Sequence, residues 1–166
     1  MITCKYCGTE LDFIGEKESK QFFHCNYCDI SFEKQETCYD RKRKASVPPH
    51  YDSNYYQPTN QLLKLNTVEL FHLLSDCRKD WFTNYSTLQS LKKLKNDDPS
   101  KTKQVDEMYK PLNHEYIKMS KQKFIIENIL LEKAGFLPEK ITNEFLSMLV
   151  EEGTKSSQKP MYIYVK

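Results

Sequence analysis

The chain has 166 residues, 39% of them hydrophobic, and a formal net charge of +2. That length holds one ordinary domain, or a small module joined to a modest one, and the near-balanced charge names no partner by bulk electrostatics. No apolar run is long enough to cross a bilayer, and the first ten residues lack the basic and apolar regions of a signal peptide, so a cytoplasmic protein without membrane contact is expected.

Charge is zoned along the chain. Residues 1–38 carry about −3 and residues 39–66 about +3, whereas residues 79–123 carry about +4 and residues 124–152 about −4. The six cysteines are read in a reducing setting, where metal binding is favoured over disulfides.

Two pairs of those cysteines open the chain. Cys4 and Cys7 stand in CKYCG, Cys25 and Cys28 in HCNYC, and seventeen residues separate the pairs. This C-x2-C repeat has the spacing of a four-cysteine metal site. A C-x2-C turn aims two thiolates at one ion, and the intervening length suits a strand, a turn and a returning strand. LDFI and QFFHC supply the strand formers, GEKESK from Gly15 supplies the turn, and ISFE adds a short third strand. Gly8 and Asp29 follow the two knuckles at positions suited to positive φ.

On these residues, 1–36 resemble a zinc ribbon, a small β-module held by two cysteine knuckles. It lacks the common proline within the first knuckle and the glycine after the second. Four thiolates close a tetrahedral shell against water, so one structural Zn2+ is expected, with iron in a rubredoxin-like site as the alternative. His24 reads as a strand residue or a neighbour of the ligands. The resemblance suggests nucleic-acid binding, but seven acidic residues against four lysines within 1–36 supply phosphate neutralisation poorly.

Residues 39–65 read as a basic, tyrosine- and proline-rich linker. Arg41, Lys42, Arg43 and Lys44 can meet phosphates, and Tyr51, Tyr55 and Tyr56 can stack on unpaired bases or pack on a neighbouring domain. Cys38 lies ten residues past the second knuckle, outside normal ligand spacing.

From Asn66 the period becomes helical. NTVE is a capping box, and Leu70, Leu74, Cys77, Trp81, Leu88 and Leu91 mark an amphipathic helix to about Lys95, its stripe widened by Phe71, Phe82 and Tyr85. Pro99 stops it. A second helical region carries Val105, Tyr109, Leu112, Tyr116, Met119, Ile126 and Leu130; Pro111 kinks or splits it, and Gly135 ends it. A third helix is expected from about Pro138 to Gly153, with Ile141, Phe145, Met148 and Leu149 on one face. Lys92, Lys93 and Lys95, with Lys101 and Lys103, cluster toward the first interhelical turn as a phosphate-facing patch or a solvated surface. Cys77 reads as a core residue, and His72 and His114 as packing or surface histidines.

Residues 124–146, with NTVELFHLL upstream, are similar to uncharacterised small proteins of Gram-positive bacteria and their prophages, through their apolar spacing and a GF-x-P-x-K-I turn. No activity travels with that similarity. The tail, residues 154–166, ends in an alternating strand pattern in which Tyr162, Ile163 and Tyr164 pair with the ribbon, add to a partner's sheet edge, or fray as a terminus, three alternatives that the residues leave open.

The fold expected is therefore α+β: a ribbon over 1–38, the linker, a three-helix bundle over 66–153 and a short C-terminal strand. No nucleophile–base pairing, glycine-rich phosphate loop or H-E-x-x-H motif is visible. The function expected is a non-enzymatic regulatory or adaptor protein acting on another protein, bacterial or phage-encoded, such as an inhibitor of a host factor. The alternative is a nucleic-acid binder using the basic linker and the helix-turn lysines.

Overall fold

In the N-terminal region, strand formers separated by short turns make antiparallel pairs. The computed structural model describes residues 1–43 and 51–161, and the fold is mixed: small N-terminal strands followed by a mainly helical region. Two compact units result, Met1–Pro48 with Met148–Lys166, and Pro49–Ser147.

In the first unit, β2 (Asp12–Lys17), β3 (Lys20–Cys25) and β4 (Ile30–Glu33) form a meander in that order. Phe23 faces Phe13 on one side and Phe32 on the other. The first turn is tighter than the sequence suggests. Gly15 sits at a bulge inside β2 with φ 141°, and the chain reverses through Glu18 and Ser19. Both take left-handed φ, 52° and 63°, which matches a two-residue connection to the twist of the strands. A second sheet, absent from the sequence reading, pairs β1 (Ile2–Thr3) with β5 (Cys38–Tyr39). Phe23, Phe32, Leu11, Cys4 and Cys25 form the small core between knuckles and meander.

The chain returns to this unit near its end. Pro160 bridges Lys42 in antiparallel sense, and Met161 N donates to Arg41 O at 3.0 Å. The proposed strand residues Tyr162, Ile163 and Tyr164 lie outside the described residues, as does Lys44.

In the second unit, one helical turn, α1 (Thr59–Leu62), precedes the long helices α2 (Thr67–Asp97) and α3 (Thr102–Ala134). Asn66 caps α2 by accepting from Glu69 N at 2.9 Å, while Glu69 accepts from Asn66 N at 2.9 Å, the expected capping box. Leu70, Leu74, Cys77, Leu88 and Leu91 are buried on α2 against Val105, Met119, Ile126 and Leu130 of α3. Phe82 and Tyr85 do not widen that stripe: they are 64% and 40% exposed, lying past its edge. Pro111 neither breaks α3 nor splits it, and Gly135 ends it at φ 75°.

The last helix departs from expectation at both ends. α4 spans Asn143–Gln158. Its start is set by Thr142, whose hydroxyl accepts from Phe145 N at 3.2 Å, while the Pro138 carbonyl is held by Arg78 Nη1 at 2.9 Å outside any helix. It continues past Gly153 because Thr154 Oγ1 donates to Val150 O, and Lys155 pairs with Glu151 and Glu152 across the glycine. Phe145 meets Phe71 edge-on at 5.3 Å and Leu146 is buried, whereas Met148 is 49% exposed and Ile141 precedes the helix.

Candidate metal centre

Each knuckle is a reverse turn closed by the backbone. Gly8 N donates to Cys4 O at 3.0 Å and Asp29 N to Cys25 O at 2.8 Å. Gly8 and Asp29 both take left-handed φ, 71° and 54°, so that the chain turns away from the sulfurs. Tyr6 N donates to Cys4 Sγ at 3.5 Å, and Cys28 N to Cys25 Sγ at 3.4 Å. These amide dipoles stabilise negative sulfur.

The β2–β3 hairpin brings the second knuckle onto the first. Cys7 Sγ lies 3.5 Å from Cys25 Sγ, Cys4 Sγ lies 4.0 Å from Cys28 Sγ, and all four sulfurs fall within 4.8 Å of one another. A tetrahedron with metal–sulfur bonds of about 2.3 Å has edges of about 3.8 Å. The four thiols therefore form a group of the right size and donor type to hold a metal ion.

Their protons compete. Burial pushes Cys25 up, and hydrogen bonding with Cys7, followed by burial, pushes Cys28 up to about 12. Burial also opposes ionisation of Cys7, yet the hydroxyl and N–H of Thr9, with the neighbouring sulfurs, hold it at about 6. Thr9 Oγ1 is 3.2 Å from Cys7 Sγ. One thiolate thus forms readily and raises the cost of the next. A divalent cation reverses that repulsion and releases protons as it binds.

His24 stands beside the site on β3, not among the four. Its Nδ1 is 3.1 Å from Ser31 Oγ and its Nε2 3.6 Å from Asp29 Oδ1. Cys38 is buried on β5, and Cys77 is buried on α2, where burial pushes its thiol up to about 12. Thr9 was missed by sequence reading; a hydroxyl two residues after a knuckle cysteine was the available signal.

The other candidate residues divide. Arg41, Lys42 and Arg43, with Lys5, line a hollow beside the first knuckle that also touches Gly8 and Met161. The tyrosines do not project freely. Tyr51 stacks on His72 at 4.0 Å, Tyr55 donates to Asp80 at 2.8 Å, and Tyr56 donates to Glu115 at 2.5 Å beneath Lys118 Nζ. Gln122 Nε2 donates to the carbonyls of Tyr55 and Gln57, fixing this segment along α3. Among the lysines, Lys95 pairs with Asp106 at 2.7 Å and Lys101 with Asp98 at 3.1 Å, Lys92 lies over the Tyr109 ring, and Lys93 is exposed.

Comparison with protein-family models, with curated proteins and with solved structures finds no match. Among the described residues, no helix is long and apolar enough to cross a membrane.

Proposed function

We propose that the four cysteines hold one structural Zn2+ in a zinc ribbon, and that the protein is a non-enzymatic regulatory or adaptor protein acting through contact with another protein. Zinc is favoured over iron because four thiolates in a closed tetrahedral shell satisfy an ion with no redox or open-site requirement. The observation that carries the protein-contact reading is the placement of Tyr6 and Tyr27. Each is the third residue of its knuckle, and they are 68% and 80% exposed. Phe13 and Ile14 on β2 add further exposed apolar area on a module of net negative charge. Exposed aromatics on a rigid acidic module fit a protein surface better than a phosphate backbone.

The test uses the zinc-loaded full chain as bait in extract from its native cell, with covalent cross-linking. A specific protein captured by wild type and lost with the Tyr6→Ser, Tyr27→Ser double variant, at unchanged zinc content, supports the reading. Capture that ignores both tyrosines removes its basis.

A second reading, nucleic-acid binding, draws on the hollow lined by Lys5, Arg41, Lys42 and Arg43, where Arg41 Nε is buried without a partner among the described residues. It requires affinity that falls steeply with salt and is lost when Arg41, Lys42, Arg43 and Lys44 are neutralised together.

A further inference from the structure

The outward face of α3 carries Ile117, Phe124 and Leu131, which are 47%, 62% and 46% exposed. They recur every seven residues, so they rise along one side of the helix at intervals of about 10.5 Å. Beside them, Trp81, Tyr116 and Ser120 floor a groove between α2 and α3, with Ile117 and Phe124 on its border. Trp81 and Tyr116 stack at 5.5 Å, and Trp81 Nε1 donates to Ser120 Oγ at 2.8 Å, so the floor is rigid. One surface thus offers a projecting aromatic ring beside a recess that is also lined by Lys121, Lys123 and Glu127, with Lys123 Nζ 3.9 Å from the Trp81 ring centroid.

We infer that this face pairs two copies of the chain, with their α3 helices antiparallel about a two-fold axis near Phe124. The spacing is symmetric about that residue: Ile117 lies seven before it and Leu131 seven after. An antiparallel second copy therefore sets Ile117 against Leu131 of the partner subunit, with Phe124 at the centre. Charge agrees with that direction. Lys118 and Lys121 are exposed before Phe124, and Glu132 is exposed after it, while Lys133 beside Glu132 is turned to the carbonyls of Leu63 and Leu65. Reversal brings Lys118 beside Glu132 of the partner subunit, twice over by symmetry. Parallel pairing would set like against like. The contact is isologous, so it closes at two copies and gives no filament.

The test is sedimentation equilibrium of the metal-loaded full chain over a wide concentration range, with circular dichroism to check helicity. Wild type is expected to approach twice the chain mass. Phe124→Glu, an exposed position, is expected to weaken association more than about thirtyfold at unchanged helicity. Lys118→Glu alone and Glu132→Lys alone are each expected to weaken it about two- to fivefold, and the double variant to recover it. Lost packing of Lys118 on Tyr56 would not be recovered by Glu132→Lys, so recovery reports the intersubunit pair. A wild-type chain that stays monomeric overturns the proposal and leaves the face to a different protein. A dimer indifferent to Phe124→Glu, or a double variant that recovers nothing, equally overturns it.

Discussion

The Tyr51 ring lies flat on His72, with centroids 4.0 Å apart and planes 19° from parallel. The Tyr51 hydroxyl and His72 Nε2 are both buried without a hydrogen-bond partner among the described residues. Burial holds the imidazole below its ordinary value of 6.5, Asp76 opposing and Lys79 adding slightly. The fold therefore disfavours the imidazolium, while the unfolded chain takes up a proton below about pH 6.5. Its contribution is fully present above 6.5 and declines as the pH falls from there toward the lowered folded value. Urea unfolding at about pH 7 and about pH 5 should show a larger loss for wild type than for His72→Phe, which keeps a ring in the stack. Equal losses would show that His72 is not held neutral.

Tyr56 makes a related point about a segment that reads as a linker. Its hydroxyl donates to Glu115, and Lys118 Nζ sits 4.2 Å from its ring centroid. Tyr56→Phe should cost about 1 kcal/mol through the lost hydrogen bond to a carboxylate, and Tyr56→Ser more, through lost ring packing. Thermal or urea unfolding followed at the helical signal checks both. A null effect of Tyr56→Ser would mean that the segment is not docked in solution.

Such docking marks the boundary of what the sequence expresses. Cysteine spacing showed which four thiols would meet, because ligand geometry depends on a local repeat. Helical periodicity gave α2 and α3 nearly to their ends, since Asn66, Pro99 and Gly135 act within one turn. The tyrosine-rich segment carries no period; its place depends on Asp80, Glu115 and Gln122, far along the chain. The same holds for β1 and β5, two residues each, whose pairing is long-range and too short for alternation. Gly153 misled because a glycine's cost of about 1 kcal/mol is tolerated when neighbouring side chains bridge it.

The centre itself gives a separable outcome. Cys25 is fully buried in a core of five residues, too small to hold the ribbon unaided. Cys25→Ser should abolish stoichiometric metal binding and unfold the ribbon, while the helical circular dichroism of α2 and α3 persists. Elemental analysis should find about one zinc per wild-type chain. A Cys25→Ser chain that keeps both metal and ribbon would show that the four-thiol shell is not the binding site.

The two knuckles offer an internal control on backbone strain. Gly8 has φ 71°, and a Cβ there would stand 2.8 Å from Met161 Sδ, the flexible part of a side chain. Gly8→Ala should destabilise the metal-loaded ribbon by about 1–2 kcal/mol, mainly from the left-handed conformation. Asp29 occupies the matching position at φ 54° and is solvent-exposed. Asp29→Gly should relieve strain there, so its ribbon should be no less stable than wild type. Competition with a chromophoric chelator, run side by side, reads both through zinc retention. The opposite order would mean that the side-chain contact between Asp29 and His24 outweighs the backbone.

Pro111 sits exposed in the tenth position of α3 and removes the amide that would donate to the carbonyl of Glu107. The helix nevertheless runs unbroken from Thr102 to Ala134, held by Val105 and Met119 against α2 on either side of the proline. Packing therefore carries a local penalty of up to about 3 kcal/mol. Part of it is offset because proline also restricts the unfolded chain, by roughly 1 kcal/mol. Pro111→Ala should leave the dimer face at Phe124 untouched and raise stability by about 1–2 kcal/mol, seen as a higher urea midpoint at unchanged slope. A lower midpoint would mean that the proline shapes the α2–α3 contact instead of straining it.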